Sequence, residues 1–252
     1  PDFVQLASQT PVYGVGGGNL RIAAQGTVKA VIPYGQGQLF TSWLKRQGDA
    51  GATGESAPWF DWDVTFTGGD GQQSAWWVDY SGFQHGVGAL GGGNVNLSSG
   101  RDLVDVTVVM PTNARVRGGR TIDEAKTLEM RNGGALTVNA GGSIRGGQYY
   151  IGRGAATLTA AELTTGRSLE VTVQEYSLPY SLSLPLAPVL AIGDATMTVK
   201  TAGNLQVQTV ADPLLMPLPG VDELFGLGSY MSGYTGRTAL TLTSVGGDVL
   251  LG

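Results

Sequence analysis

The chain has 252 residues, no cysteine, one histidine (His85) and few charges. Without cysteine there are no disulfides, no thiolate metal ligands and no cysteine nucleophile. One histidine cannot build a multi-histidine metal site, and no nucleophile motif accompanies His85, so a catalytic triad has no support. Charged residues are 14% of the chain, against a usual ~25%, and they sum to a net charge of −5. That balance, with a pI near 4.8, argues against a nucleic-acid or anionic-membrane surface. Long apolar runs are missing as well. The stretch from Leu182 to Ile192 is the longest nearly apolar one; it contains two prolines and is too short to cross a bilayer. The opening residues, Pro1-Asp2-Phe3-Val4-Gln5, lack the charged start and apolar core of a signal peptide.

What the chain has in excess is glycine, 41 of 252 residues or about 16%, against a usual ~7%. So much glycine would destabilise helices throughout. It does not recur at every third position, which excludes collagen. The 42% of hydrophobic residues exclude general disorder. A turn-rich, all-β chain remains, long enough to bury a core without staples.

Six segments repeat one phrase. They are Gly18-Asn19-Leu20-Arg21-Ile22-Ala23-Ala24, Gly93-Asn94-Val95-Asn96-Leu97-Ser98-Ser99, Gly134-Ala135-Leu136-Thr137-Val138-Asn139-Ala140, Ala155-Ala156-Thr157-Leu158-Thr159-Ala160, Ala195-Thr196-Met197-Thr198-Val199-Lys200-Thr201 and Thr238-Ala239-Leu240-Thr241-Leu242-Thr243-Ser244. Apolar residues at alternate positions, ending on a small residue, have the period of a strand with one buried face. A glycine turn and a further apolar residue follow in five of them, reaching Val28, Leu103, Ile144, Leu205 and Val249; the segment at Ala156 reaches Leu163 without the glycine. The starts at 20, 95, 136, 156, 197 and 240 differ by 75, 41, 20, 41 and 43. All but the first difference lie close to one or two times 20, the length of one coil of a parallel β-helix. Small residues such as Ala24, Ser99, Ala140, Ala160 and Ser244 suit the corners of such coils, and Gly-Asp/Asn pairs supply left-handed turns there. A β-sandwich with evenly spaced hairpins is the competing reading. The last phrase, Gly246-Gly247-Asp248-Val249-Leu250-Leu251-Gly252, stops inside a repeat, as expected of a piece of a longer protein.

The phrases from Gly93 to Leu103 and from Gly134 to Ile144, with Val109-Met110-Pro111-Thr112-Asn113-Ala114-Arg115-Val116 and Gly146-Gly147-Gln148-Tyr149-Tyr150-Ile151-Gly152-Arg153-Gly154, resemble the filamentous haemagglutinin-like adhesins. These are very large exoproteins of two-partner secretion systems in Gram-negative bacteria. The resemblance covers roughly residues 91–252 and Gly16 to Val28. It implies a right-handed parallel β-helix, export across the outer membrane by a partner β-barrel transporter, and a role in adhesion or cell contact. It carries over no catalytic residue. The family's amino-terminal secretion motif is absent from this chain.

Residues 34 to 83 interrupt the repeat. They hold all five tryptophans and 11 of the 20 aromatic residues. The runs Trp59-Phe60-Asp61-Trp62-Asp63-Val64-Thr65-Phe66 and Ser74-Ala75-Trp76-Trp77-Val78-Asp79-Tyr80 alternate like strands, with a turn at Thr67 to Gly71. Trp59, Trp62, Trp76 and Trp77 are candidate ligand-binding residues, since flat rings stack on sugars and anchor partners. Asp61 and Asp63, two residues apart on one strand face, are the best carboxylate pair for acid–base work or calcium. The opposing reading makes the rings a satellite core welded to the coils, and the carboxylates solvated charges. Gly14 to Gly18 and Gly91 to Gly93 precede no predicted helix and read as coil turns rather than phosphate loops. Asp70 in Gly-Gly-Asp-Gly matches a fragment of a calcium-binding nonapeptide, once.

The expected architecture is therefore all-β: a right-handed parallel β-helix of ~20-residue coils with inserted loops or a small extra-helical β element. Residues 1–33 are coils, 34–90 an aromatic-rich insertion or irregular coils, and 91–252 coils with excursions near 118–131 and 211–236. The first of these excursions overlaps the helix-friendly stretch Arg120 to Met130, and the second holds Pro213, Pro217 and Pro219, which block ladder pairing. The expected function is that of a shaft segment of a secreted adhesin or surface filament, non-catalytic and without cofactor or metal. Its expected partners are an outer-membrane transporter, a receptor or glycan on a host or neighbouring cell, and further copies joined end to end. A polysaccharide-binding or polysaccharide-cleaving β-helix using the Trp-rich insertion is the alternative.

Overall fold

The computed structural model describes residues 17–31, 43–46, 73–78, 83, 86–117, 127–175, 178–214 and 233–252. Among these residues the chain is all-β, with parallel sheets and no helical element. It passes repeatedly through the same three directions, and each pass lies on the one before.

The repeated phrases form the first of these directions. Leu20 lies opposite Val95, Val95 opposite Leu136, Leu136 opposite Ala156, Ala156 opposite Met197 and Met197 opposite Leu240, all in parallel pairs. The residues reached after each turn form the second, in a six-stranded sheet: Val28, Leu103, Ile144, Leu163, Leu205 and Val249 are stacked in that order. Each recurrence of the phrase is thus one rung, and this corrects the expected coil of about 20 residues: only the step from Leu136 to Ala156 has that length, while the spacings of 41, 43 and 75 are single passes lengthened by the segments that leave the stack, not two or more coils. Parallel pairing places every rung about 4.8 Å from the next, and the alternating apolar residues form continuous columns inside. Leu97, Leu103, Val138, Ile144, Leu158, Leu163, Val199 and Leu205 are fully buried there. Each such side chain contributes about 1.5–3 kcal/mol by burial.

A third ladder joins Val87–Gly88, Val108–Met110, the first part of Gln148–Ala160, the first part of Val189–Thr201, and Thr209–Ala211. The two thirteen-residue strands continue from this ladder into the first, bending at Gly152-Arg153-Gly154 and at Gly193. Inward-facing Val108, Met110, Tyr149, Ile151, Leu190 and Ile192 complete the core.

Corner chemistry locks the passes together. The hydroxyl of Ser99 donates to the carbonyls of Gly26 and Asp102, and those of Thr201 and Ser244 donate to that of Gly203. Side-chain oxygens of one pass accept amides of the next: Asn94 Oδ1 from Ala135 at 2.9 Å, Asp102 Oδ1 from Ser143 at 2.8 Å, and Asn204 Oδ1 from Asp248 at 2.9 Å. At one corner Gly93 and Gly154 have φ of 105° and 118°. A Cβ on Gly93 would collide with the carbonyl of Gly18, and one on Gly154 with that of Gly134. The conformation and the close approach both require glycine.

Several segments leave the stack. Leu44–Arg46, Gln73–Val78, Thr112–Arg117 and Thr127–Asn132 form a four-stranded antiparallel sheet beside it. The helix-friendly composition of Arg120 to Met130 is overridden at its end, where Thr127–Asn132 pairs with Thr112–Arg117 as a strand. Ser168–Glu175 and Leu178–Pro185 form a separate antiparallel hairpin outside the repeated phrases.

Candidate functional site

The antiparallel sheet, whose strand Gln73–Val78 comes from the aromatic-rich insertion, meets the stack on the outer side of the third ladder. Val109, Tyr150 and Ala191 alternate with inward-facing residues and so point outward, into a second core with Trp43, Leu44, Trp76, Val78, Ala114 and Leu214. The Trp43 ring meets Phe83 edge-on at 5.6 Å between centroids and lies tilted against Tyr150 at 6.1 Å. The register of Gln73–Val78 shifts between Ser74 and Trp76, a bulge of the kind that re-aims a side chain. Trp76 is 4% exposed, and its Nε1 donates to Thr112 Oγ1 at 3.0 Å. The Val78 amide donates to Asn113 Oδ1 at 3.0 Å. In this arrangement Trp76 fills a core and has no ring face open for stacking.

Beside the second core is a small hollow, lined in part by Trp76, Thr112, Tyr150, Asp194, Asp212 and Gly233. Its two carboxylates are buried. Asp194 follows the corner glycine Gly193. Its Oδ1 accepts from Thr235 Oγ1 at 2.5 Å and from Arg237 Nε at 3.0 Å; its Oδ2 accepts from Arg237 Nη2, with Arg153 Nε 3.7 Å away. Burial by itself would push this carboxyl up. Hydrogen bonds from Arg237 and Thr235 and the charges of Arg237 and Arg153 outweigh burial and hold it below the usual carboxylate range. Asp212 closes the stem of the segment from 215 to 232, accepting the amides of Leu214 at 3.0 Å and Gly233 at 2.6 Å. It also helps burial to raise the Tyr234 phenol, burial being the larger cause.

A third buried aspartate repeats this role. Asp105, at φ 53°, accepts the Arg167 amide at 3.1 Å and lies 3.9 Å from Arg167 Nε, beside the stem of the hairpin that begins at Ser168. All three carboxylates therefore serve as acceptors that hold departing segments to the stack. A carboxylate occupied in this way is a weak nucleophile or general base. Among the described residues no group of three or more His, Asp or Glu could hold a metal ion.

Of the residues singled out from sequence, Trp76 belongs to the second core, and Trp77 lies in the same strand with its backbone opposite Lys45. Trp59, Asp61, Trp62 and Asp63 lie outside the described residues, as do Asp70 and His85. Sequence reading missed the three clamping aspartates. Their available signal was a carboxylate set in an apolar or glycine-rich run, as in Ala191-Ile192-Gly193-Asp194-Ala195, in a chain with little charge to spare. Compared with known proteins, the chain matches no family model, no curated protein and no solved structure.

Proposed function

We propose that the chain is a shaft segment of a large secreted bacterial adhesin or surface filament, built as a right-handed parallel β-helix and working without catalysis. One observation carries this reading: six passes keep an unbroken register in their first two ladders, while the antiparallel strands among the described residues pair outside them. A stack of this kind resists bending, because each added pass buries a row of side chains and a row of backbone hydrogen bonds. It holds other regions away from a surface. The sequence resemblance adds the setting: export through an outer-membrane transporter, a place on the cell exterior, and a receptor or glycan on the opposing cell.

The test is export and adhesion of the parent protein, with this segment intact and with Val138→Asp. A charge in the fully buried Val138 position costs more than about 4 kcal/mol. Display and adhesion are therefore lost together. Retention of both by the variant would contradict the reading. Release of sugar from a polysaccharide by the purified chain would replace it with the enzymatic one.

A further inference from the structure

Asn132 is the only one of the seven asparagines that precedes a glycine, and it stands where the antiparallel sheet joins the stack. Thr127–Asn132 pairs with Thr112–Arg117, with Asn132 opposite Thr112. Gly134–Ala140 already runs in the first ladder, between Val95–Ser99 and Gln148–Ala160. Asn132 and Gly133 are the whole joint between the two sheets.

Both residues of the joint have positive φ, 73° at Asn132 and 103° at Gly133. Asparagine tolerates that region better than most side chains, and glycine takes it freely. A Cβ on residue 133 would collide with the Arg153 carbonyl, so the position requires glycine and its nitrogen has no side chain to shield it. The Gly133 carbonyl accepts the Gly93 amide at 3.2 Å, but its own amide finds no acceptor among the described residues. The Asn132 side chain is half-buried, and Nδ2 donates to the Leu90 carbonyl at 3.4 Å, a long and weak hydrogen bond. Asn139 offers the contrast. It is exposed, but it lies within the ladder between Ser98 and Thr159 and is followed by alanine.

We propose that Asn132 modifies itself, and that the reaction uncouples the antiparallel sheet from the stack. The Gly133 nitrogen, on losing its proton to solvent, attacks Cγ of Asn132. The new N–Cγ bond closes a succinimide ring, and the Cγ–Nδ2 bond breaks as ammonia leaves with a proton from water. Water then opens the ring. Attack at Cγ gives aspartate; attack at the main-chain carbonyl carbon gives isoaspartate. Neither product suits the joint. Aspartate sets a half-buried carboxylate against the Leu90 carbonyl in place of a donor, which is costly. Isoaspartate carries the main chain through the former side chain, one atom longer, so the Asn132–Thr112 pairing and the Gly93–Gly133 bond no longer hold together. The inference concerns this joint alone and stands apart from the shaft reading.

Timed incubation of the 252-residue chain in neutral buffer, followed by trypsin digestion and mass spectrometry, tests this. Arg131 and Arg145 bound a peptide that holds both Asn132 and Asn139, so each molecule carries its own control. Asn132 converts more than about tenfold faster than Asn139, and no more than about tenfold slower than in the chain unfolded by urea. Hydrogen exchange in Thr112–Arg117 and Thr127–Asn132 accelerates as conversion proceeds, while Val189–Thr201 stays protected. Asn132→Gly takes the same φ without a reactive amide and keeps its initial exchange rates throughout the incubation. Circular dichroism checks the β content of this variant, and the wild-type rates decide the matter whether or not it folds. A smaller margin over Asn139, or a greater slowing by the fold, would overturn the site. Conversion with unchanged exchange in the antiparallel sheet would overturn the uncoupling.

Discussion

Asp105, Asp194 and Asp212 are buried where a segment leaves or rejoins the stack, and each accepts donors from that segment. A buried carboxylate is tolerated only when its charge is compensated; for Asp194 the compensation comes from Arg237, Thr235 and Arg153. Because its folded-state pKa lies below the unfolded value of about 3.9, Asp194 contributes stability that is fully present above that value. The contribution is lost as pH falls through the folded pKa. Asp194→Asn should therefore cost about 1–3 kcal/mol at neutral pH, and the gap to wild type should close below about pH 4. Denaturant unfolding of both proteins at pH 7 and pH 3 checks this; a gap that is unchanged or widens in acid contradicts the role given to the charge.

Between elements, the antiparallel sheet and the stack share the second core but have separate ladders. Trp76→Ala removes a large buried side chain at a cost of about 3–5 kcal/mol and leaves Thr112 without its donor. Hydrogen exchange should then accelerate in Gln73–Val78 and Thr112–Arg117 while Gly134–Ala140 and Val189–Thr201 stay protected. Equal acceleration everywhere would mean that the two units form one cooperative block. The same division explains what could be read from the sequence. The residues of the first two ladders are legible, because the strands bury one face and alternate and, in all but the pass at Ala156, a glycine turn ends them; the length of a pass is not, because segments that leave the stack lengthen most passes to about twice the 20-residue spacing. The third ladder is not legible. Val108-Val109-Met110, Tyr149-Tyr150-Ile151 and Leu190-Ala191-Ile192 are buried on both faces, inward in the main core and outward in the second, so they show no alternation. The aromatic segment was recognisable as an interruption, but nothing local indicates that its strand Gln73–Val78 pairs with Thr112–Arg117 beyond a whole pass of the stack. The hairpin from Ser168 to Pro185 is hidden in the sequence for a different reason. Its arms alternate, but they pair with each other and so fall outside the repeat.

For the whole molecule, the central claim is that sequence-equivalent positions lie one rung apart in every pass. The absence of cysteine makes this directly measurable, since any introduced pair is the only pair. Thr157, Thr198 and Thr241 occupy consecutive rungs of one exposed column, about 4.8 Å apart, within disulfide reach. Thr157 and Thr196 are offset by two residues and lie about 8 Å apart, beyond it. Thr157→Cys with Thr198→Cys, and Thr198→Cys with Thr241→Cys, should each oxidise almost completely, whereas Thr157→Cys with Thr196→Cys should stay reduced under the same conditions. Free-thiol titration and mass spectrometry give the answer. In-register pairs that fail to close, or an offset pair that closes as readily, would contradict the stacked fold and every functional inference built on it.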